Sequence, residues 1–221
     1  MVINYTKGAI FDLEGVVSDT RKIKTQVSVD MLYERYGIDI TPEDFEERYA
    51  GMKTRQLFNN IFKEYEVDDE IDNFVELRNS ELDSQIDNYL PIVPGSTDLI
   101  DGFRQDGYKL ALVAVGMREW SDKVAKKMNV RSKFDVIIYS DEVEKVKPDS
   151  EIYLLAAEKL RLEPEKCIAI DSTKEGLISA TEAGMKSIIL TENPSDDDLK
   201  SADILTDDLR KIKIDSLKLV D

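Results

Sequence analysis

The 221-residue sequence predicts an α/β protein, a doubly wound parallel sheet interrupted by a helical insertion. Three observations lead there. An apolar run at residues 8–12 ends in two closely spaced carboxylates, Asp12 and Glu14, and Gly15 stops it. From about residue 20 to 90, apolar side chains recur at helical spacing with few strand signals. From about residue 92 onward, short apolar runs alternate with amphipathic stretches, the pattern of parallel strands joined by crossover helices.

In chain order, residues 8–12 are the first strand. Amphipathic stretches follow around Val27–Tyr36, Pro42–Tyr49, Thr54–Tyr65 and Glu70–Tyr89. Thr41-Pro42-Glu43-Asp44 is a strong helix start. A threonine hydroxyl accepts from the unpaired first-turn amides, proline has the required φ, and acids favour the positive end of the helix. Pro91-Ile92-Val93-Pro94-Gly95 marks the return to sheet-forming sequence. Helix Ser96–Gln105 then leads through Asp106-Gly107 to strand Lys109–Ala114, and helix Glu119–Met128 to strand Val136–Tyr139. Helix Ser150–Leu160 precedes strand Cys167–Ile170, helix Leu177–Ala183 precedes strand Ser187–Leu190, and Ala202–Leu205 is the last strand. The expected organisation is a Rossmann-like core of residues 1–18 and 92–221 around a helical cap of residues 19–91.

Composition narrows the chemistry. The chain has no histidine, which removes histidine-based triads, histidine-ligated zinc and histidine acid/base catalysis. A net charge of −16 argues against nucleic acid or an anionic membrane as partner. No apolar run approaches the roughly 20 residues that span a bilayer. The first residues lack the apolar stretch of a signal peptide, so a cytoplasmic location is expected. Cys167 is the single cysteine; it sits in a strand-like run and reads as a core residue, with no disulfide possible within the chain.

In a sheet of this kind ligands bind beyond the carboxyl ends of the strands, which is where Asp12 and Glu14 stand. Core packing does not explain two acids there, and their repulsion asks for a cation or a proton between them. Asp12 is suited to act as nucleophile and metal ligand, and Glu14 as acid/base toward a leaving group. With no histidine, chemistry at neutral pH falls to carboxylates, lysine and a hard cation.

The run from Ile10 to Asp19, with Asp12-Leu13-Glu14-Gly15 at its centre, resembles motif I of the haloacid dehalogenase superfamily, with Glu14 in place of the usual second Asp. Lys145-Val146-Lys147-Pro148-Asp149-Ser150 resembles motif III; Lys147, beside the proline, is the better match and Lys145 the alternative. Ile170-Asp171-Ser172-Thr173-Lys174-Glu175-Gly176, followed by Ala180 to Met185, resembles motif IV, with Asp171 at the place of the first acid and Ser172 at that of the second. Motif II departs from the family pattern, because Ala114 stands where the family has a Ser or Thr hydroxyl. The Asp-x-Glu-Gly and Asp-x-Thr-Lys-Glu forms are similar to those of the enolase-phosphatases, whereas the cap and the Lys-Pro region look closer to the phosphoglycolate phosphatase and β-phosphoglucomutase branch.

The resemblance implies an Mg²⁺-dependent phosphomonoesterase for a small phosphorylated metabolite, acting through an aspartyl-phosphate. Asp12 would be the nucleophile, Glu14 the acid/base and Lys147 the neutraliser of developing charge. Asp12, Asp171, Ser172 and the main-chain carbonyl of Glu14 would surround the Mg²⁺, with Glu175 orienting a bound water. The amides of Val115 and Gly116 would hold phosphoryl oxygens, and Lys53, Thr54 and Arg55, in the cap loop from Tyr49 to Arg55, would read the rest of the substrate. Ala114 and Ser172, each a lost polar group, favour an alternative in which the fold binds or regulates without turnover; a phosphomutase is a further alternative. The expected state is a monomer or homodimer.

Overall fold

The structure, a computed structural model, describes residues 7–49, 52, 54–88, 90–116, 118–192 and 196–217. Its elements run β1 (Gly8–Asp12), α1 (Thr20–Tyr36), α2 (Pro42–Tyr49), α3 (Thr54–Glu64), α4 (Ile71–Asn88), α5 (Ser96–Gln105), β2 (Lys109–Ala114), α6 (Arg118–Lys127), β3 (Val136–Tyr139), α7 (Glu151–Leu160), β4 (Cys167–Asp171), α8 (Lys174–Glu182), β5 (Lys186–Leu190) and β6 (Ile204–Thr206), with short 3₁₀ turns between them. The chain divides into an α/β unit, Met1–Asp19 with Pro91–Asp221, and a helical unit, Thr20–Leu90. Among the described residues, no helix is long and apolar enough to cross a membrane.

The α/β unit is one parallel sheet in the order β3-β2-β1-β4-β5-β6. β1 lies between β2 and β4 and is buried along its whole length. Its side chains alternate between the two faces of the sheet, as a pleated strand requires. Ile10 joins a core with Ile152, Tyr153 and Ala156 of α7, whereas Phe11 meets the rings of Phe103 and Phe134 edge-on at 5.8 and 5.9 Å. Apolar cover on both faces is what a parallel sheet needs. The chain builds outward from β1 to β2 and β3, then returns to lay β4, β5 and β6 on the other side. The reversal falls between β1 and β4, and a doubly wound sheet opens a crevice at that point.

The helical unit packs α1 against α2 and α4, and α3 against α4. Phe74 is fully buried, and its ring lies 4.8 Å from that of Phe58 and 5.3 Å from that of Phe62. The buried Arg78 donates from Nε to Ser28 Oγ at 2.7 Å and stacks over Phe58.

Several boundaries differ from the sequence expectation by one residue, and three element starts by two or more. α1 begins at Thr20 and not near Val27, because its first turns bury Thr20 and Thr25 instead of apolar side chains, so hydrophobic spacing gives no signal there. α8 begins at Lys174, ahead of Leu177, because Thr173 caps it by accepting from the Gly176 amide at 2.9 Å. The last strand is Ile204–Thr206, shifted towards the C-terminus from Ala202–Leu205. Tyr89, expected in the fourth helix, lies outside the described residues.

Truncation of Phe74 tests the aromatic core of the helical unit. Phe74→Ala is expected to destabilise that unit by about 3–5 kcal/mol, read as a lower urea midpoint by far-UV circular dichroism.

Candidate active site

Adjacent strands put the two key acids side by side. Phe11 pairs with Ile170 in the β1–β4 register, so Asp12 and Asp171 end neighbouring strands at the switch point. Asp12 is 6% exposed and Asp171 fully buried. The Lys147 ammonium lies between them, with Nζ 2.9 Å from Asp12 Oδ1 and 2.5 Å from Asp171 Oδ2. Lys147 is itself only 7% exposed. It comes from the loop that precedes α7. Lys145 is 72% exposed and pairs with Asp149, so Lys147 is the lysine of this loop that reaches the site.

Asp171 is held by further donors. Its Oδ1 accepts from the Ser172 and Thr173 amides at 2.7 and 2.9 Å and from the Thr173 hydroxyl at 2.8 Å. Its Oδ2 accepts from the Tyr153 hydroxyl at 2.6 Å as well as from Lys147. Tyr153 is fully buried on α7, and the Lys147 ammonium lies 5.2 Å from its ring centroid. Gly176, in the first turn of α8, packs onto the same carboxylate: a Cβ built there would lie 2.0–2.3 Å from the carboxyl atoms of Asp171. Ser179 Oγ of α8 donates to the main-chain oxygen of Asp149 at 2.7 Å, linking α8 to the lysine-bearing loop.

This environment separates the two acids. Burial pushes Asp12 up to about 7 against the pull of Lys147, and the neighbouring Asp171 adds to the rise. Burial acts in the same sense on Asp171, but Lys147 and the hydroxyls of Tyr153 and Thr173 outweigh it and hold that acid below the usual range. Burial works against charge on Lys147, yet the two carboxylates keep it firmly protonated. Asp171 and Lys147 are therefore a charged pair, and Asp12 is the acid whose charge is the less fully offset.

Around them, Leu13 continues the β1 pairing, its amide donating to Val113 O at 2.9 Å. Gly15 adopts φ 84°, a left-handed conformation that glycine takes without steric cost, and its amide donates to Ser18 O at 2.8 Å. This turn leaves the main-chain oxygen of Glu14 beside Ser172, whose Oγ donates to it at 3.5 Å. Ala114, 1% exposed, ends β2 opposite Tyr139 of β3. Val115 is 39% exposed, and Ser140 Oγ donates to the main-chain oxygen of Gly116 at 3.3 Å. Glu175 is exposed on the first turn of α8.

The structure thus brings together Asp12, Lys147, Asp171, Ser172 and the Glu14 main chain. In the helical unit, Thr54 and Arg55 are exposed at the start of α3, and Arg55 holds Asp72 through two nitrogens, one contact of 2.8 Å to each carboxylate oxygen. Lys53 lies outside the described residues. The expectation missed Tyr153 and Thr173 as partners of Asp171. Tyr153 hides in an apolar helical run, and Thr173 looks like a linker residue between Asp171 and α8. Among the described residues, no three Cys, Asp or Glu side chains are arranged to cage a metal. The Asp12 carboxylate, the Glu14 carbonyl and the Ser172 hydroxyl form an oxygen-only set of the kind a hard, hydrated cation takes.

A buried lysine thus joins two strand-end carboxylates at the switch point of a doubly wound sheet. The chain belongs to the haloacid dehalogenase-like hydrolase family, whose model matches residues 9–190. It is 29% identical over 182 residues to the phosphorylated carbohydrates phosphatase of Thermotoga maritima, covering 82% of this chain and 83% of that protein. It is 26% identical to the validoxylamine A 7′-phosphate phosphatase of Streptomyces hygroscopicus subsp. limoneus, covering 94% and 96%. A β-phosphoglucomutase crystal structure from Clostridium difficile superposes with a TM-score of 0.79 at 25% identity, covering 95% of this chain and 94% of that one.

Gly176 gives a test with an informative sign. Replacing a helical glycine with alanine ordinarily stabilises by about 0.5–1 kcal/mol. Here the added methyl must displace Asp171, so Gly176→Ala is expected to cost about 1–3 kcal/mol instead. Urea denaturation measures the difference.

Proposed function

We propose that the chain is a phosphomonoester hydrolase acting on a small phosphorylated metabolite, with phosphorylated carbohydrates the first class to try. The observation that supports this most is the buried Asp12–Lys147–Asp171 cluster at the crevice. Buried ion pairs of this kind seldom stabilise a fold more than apolar packing would, so their presence in a crevice points to chemistry. The phosphatases among the relatives support the same reading.

In the proposed reaction, a carboxylate oxygen of Asp12 bonds to phosphorus as the bond from phosphorus to the leaving oxygen breaks. Glu14 gives its proton to that leaving oxygen. Glu14, now ionised, takes a proton from water, which attacks phosphorus, releases inorganic phosphate and restores Asp12. Lys147 offsets charge on the transferring group, and the amides of Val115 and Gly116 hold its oxygens. A bound Mg²⁺, next to Asp12, the Glu14 carbonyl and Ser172, would supply electrostatic stabilisation of the phosphoryl oxygens. Glu175 would orient one of the ion's waters, and the helical unit would act as the cap, with Lys53, Thr54 and Arg55 reading the substrate.

Ala114 supports a second reading, a site that binds phosphorylated ligands without turning them over. A hydroxyl at the end of β2 would be one more donor to the phosphoryl group, and one such donor is worth roughly 10²–10³ in rate.

Phosphate release from a panel of sugar phosphates with Mg²⁺ decides between the two. Turnover is expected, and Asp12→Asn is expected to lower it by at least about 10³-fold. Ala114→Ser is expected to keep or raise kcat, by up to about 10²-fold. No release from any substrate would favour the second reading.

A further inference from the structure

The hydrogen-bond inventory of Asp171 has a consequence for the cation. A carboxylate offers about four lone-pair positions. Five donors reach this one: Lys147 Nζ, the Tyr153 hydroxyl, the Ser172 and Thr173 amides and the Thr173 hydroxyl. The Thr173 hydroxyl accepts from the Gly176 amide, so its own proton points to Asp171. Turning the carboxylate toward a metal would leave the Ser172 and Thr173 amides without this acceptor, which is unfavourable for part-buried donors. The Gly176 backbone closes the space behind the same carboxylate.

Ser172 offers only a neutral oxygen, at 3.5 Å from the Glu14 carbonyl. We propose that Asp171 is the fixed counter-ion of Lys147 and not a ligand of the divalent cation, which has Asp12 as its single carboxylate ligand, joined by the neutral oxygens of Glu14 and Ser172. This deepens the hydrolase reading and rests on its choice of Asp12 as the metal-facing acid. Affinity for a hard cation follows the number of charged ligands, so the free protein binds such an ion weakly. The Lys147 ammonium then supplies the fixed positive charge of the crevice, and the side chain at 172 sets the strength of the cation site.

Mn²⁺ serves as the probe, its binding followed without substrate by the loss of the free-ion electron paramagnetic resonance signal, and folding followed by circular dichroism. Asp171→Asn is expected to bind Mn²⁺ within about threefold of the unaltered protein. Asp12→Asn is expected to lose binding by at least about 30-fold, and Ser172→Asp, which adds a second carboxylate, to tighten it by at least about tenfold. A tenfold or larger loss in folded Asp171→Asn would overturn the proposal. So would binding in Asp12→Asn within tenfold of the unaltered protein, or no gain in Ser172→Asp. Should Asp171→Asn not fold, the other two variants decide. Because no substrate is present, a failure of phosphate release would count against the hydrolase reading alone and leave this test intact.

Discussion

The ammonium of Lys147 is the interaction around which this molecule is organised. Two strands that end in buried aspartates lie side by side, and like charges so placed cannot both persist without a counter-charge. Lys147 provides it and is held charged by the pair it joins. The remaining groups around the crevice divide the labour. Tyr153 and Thr173 complete the shell of Asp171, so the ammonium shares one acid with several other donors and meets the second, Asp12, with few competitors. An unequal environment thus gives two identical side chains opposite electrostatic settings, Asp12 pushed up and Asp171 held down.

The sheet order makes this possible. Two loops distant in sequence, after β1 and after β4, converge because the chain reverses its direction of strand addition between them. The lysine arrives from a third loop, which α8 steadies through the Ser179 hydroxyl. The site therefore depends on three crossover connections keeping their register, which ties its geometry to the packing of Ile10, Ile152 and Ala156 in the core beneath it.

Much of this was legible in the sequence. Alternating strands and helices in the second half, and the apolar run ending at Asp12, gave the fold class because buried parallel strands are short, apolar and sharply bounded. Asp12 could be picked out because charge beside an apolar strand end has no packing explanation, and Lys147 and Asp171 because the runs around them resemble family motifs. The start of α1 was invisible, since Thr20 and Thr25 are buried polar residues and spacing arguments count only apolar ones. Tyr153 was hidden for the opposite reason. Its ring fits an apolar helical face so well that nothing in the pattern distinguishes the hydroxyl at its tip, and only the three-dimensional approach of α7 to β4 reveals what that hydroxyl reaches.

Gly176 has a meaning for how such a site can change over generations. Its bare backbone lies against the Asp171 carboxylate, so the room at position 176 and the length of the acid at position 171 are a single shared volume. A longer acid, or a side chain on the glycine, would require the other position to yield at the same time. The two residues, though five places apart on opposite sides of a helix start, are free to vary only as a pair, and the Tyr153 hydroxyl, which ends on the same oxygen as Lys147, belongs to the same linked set.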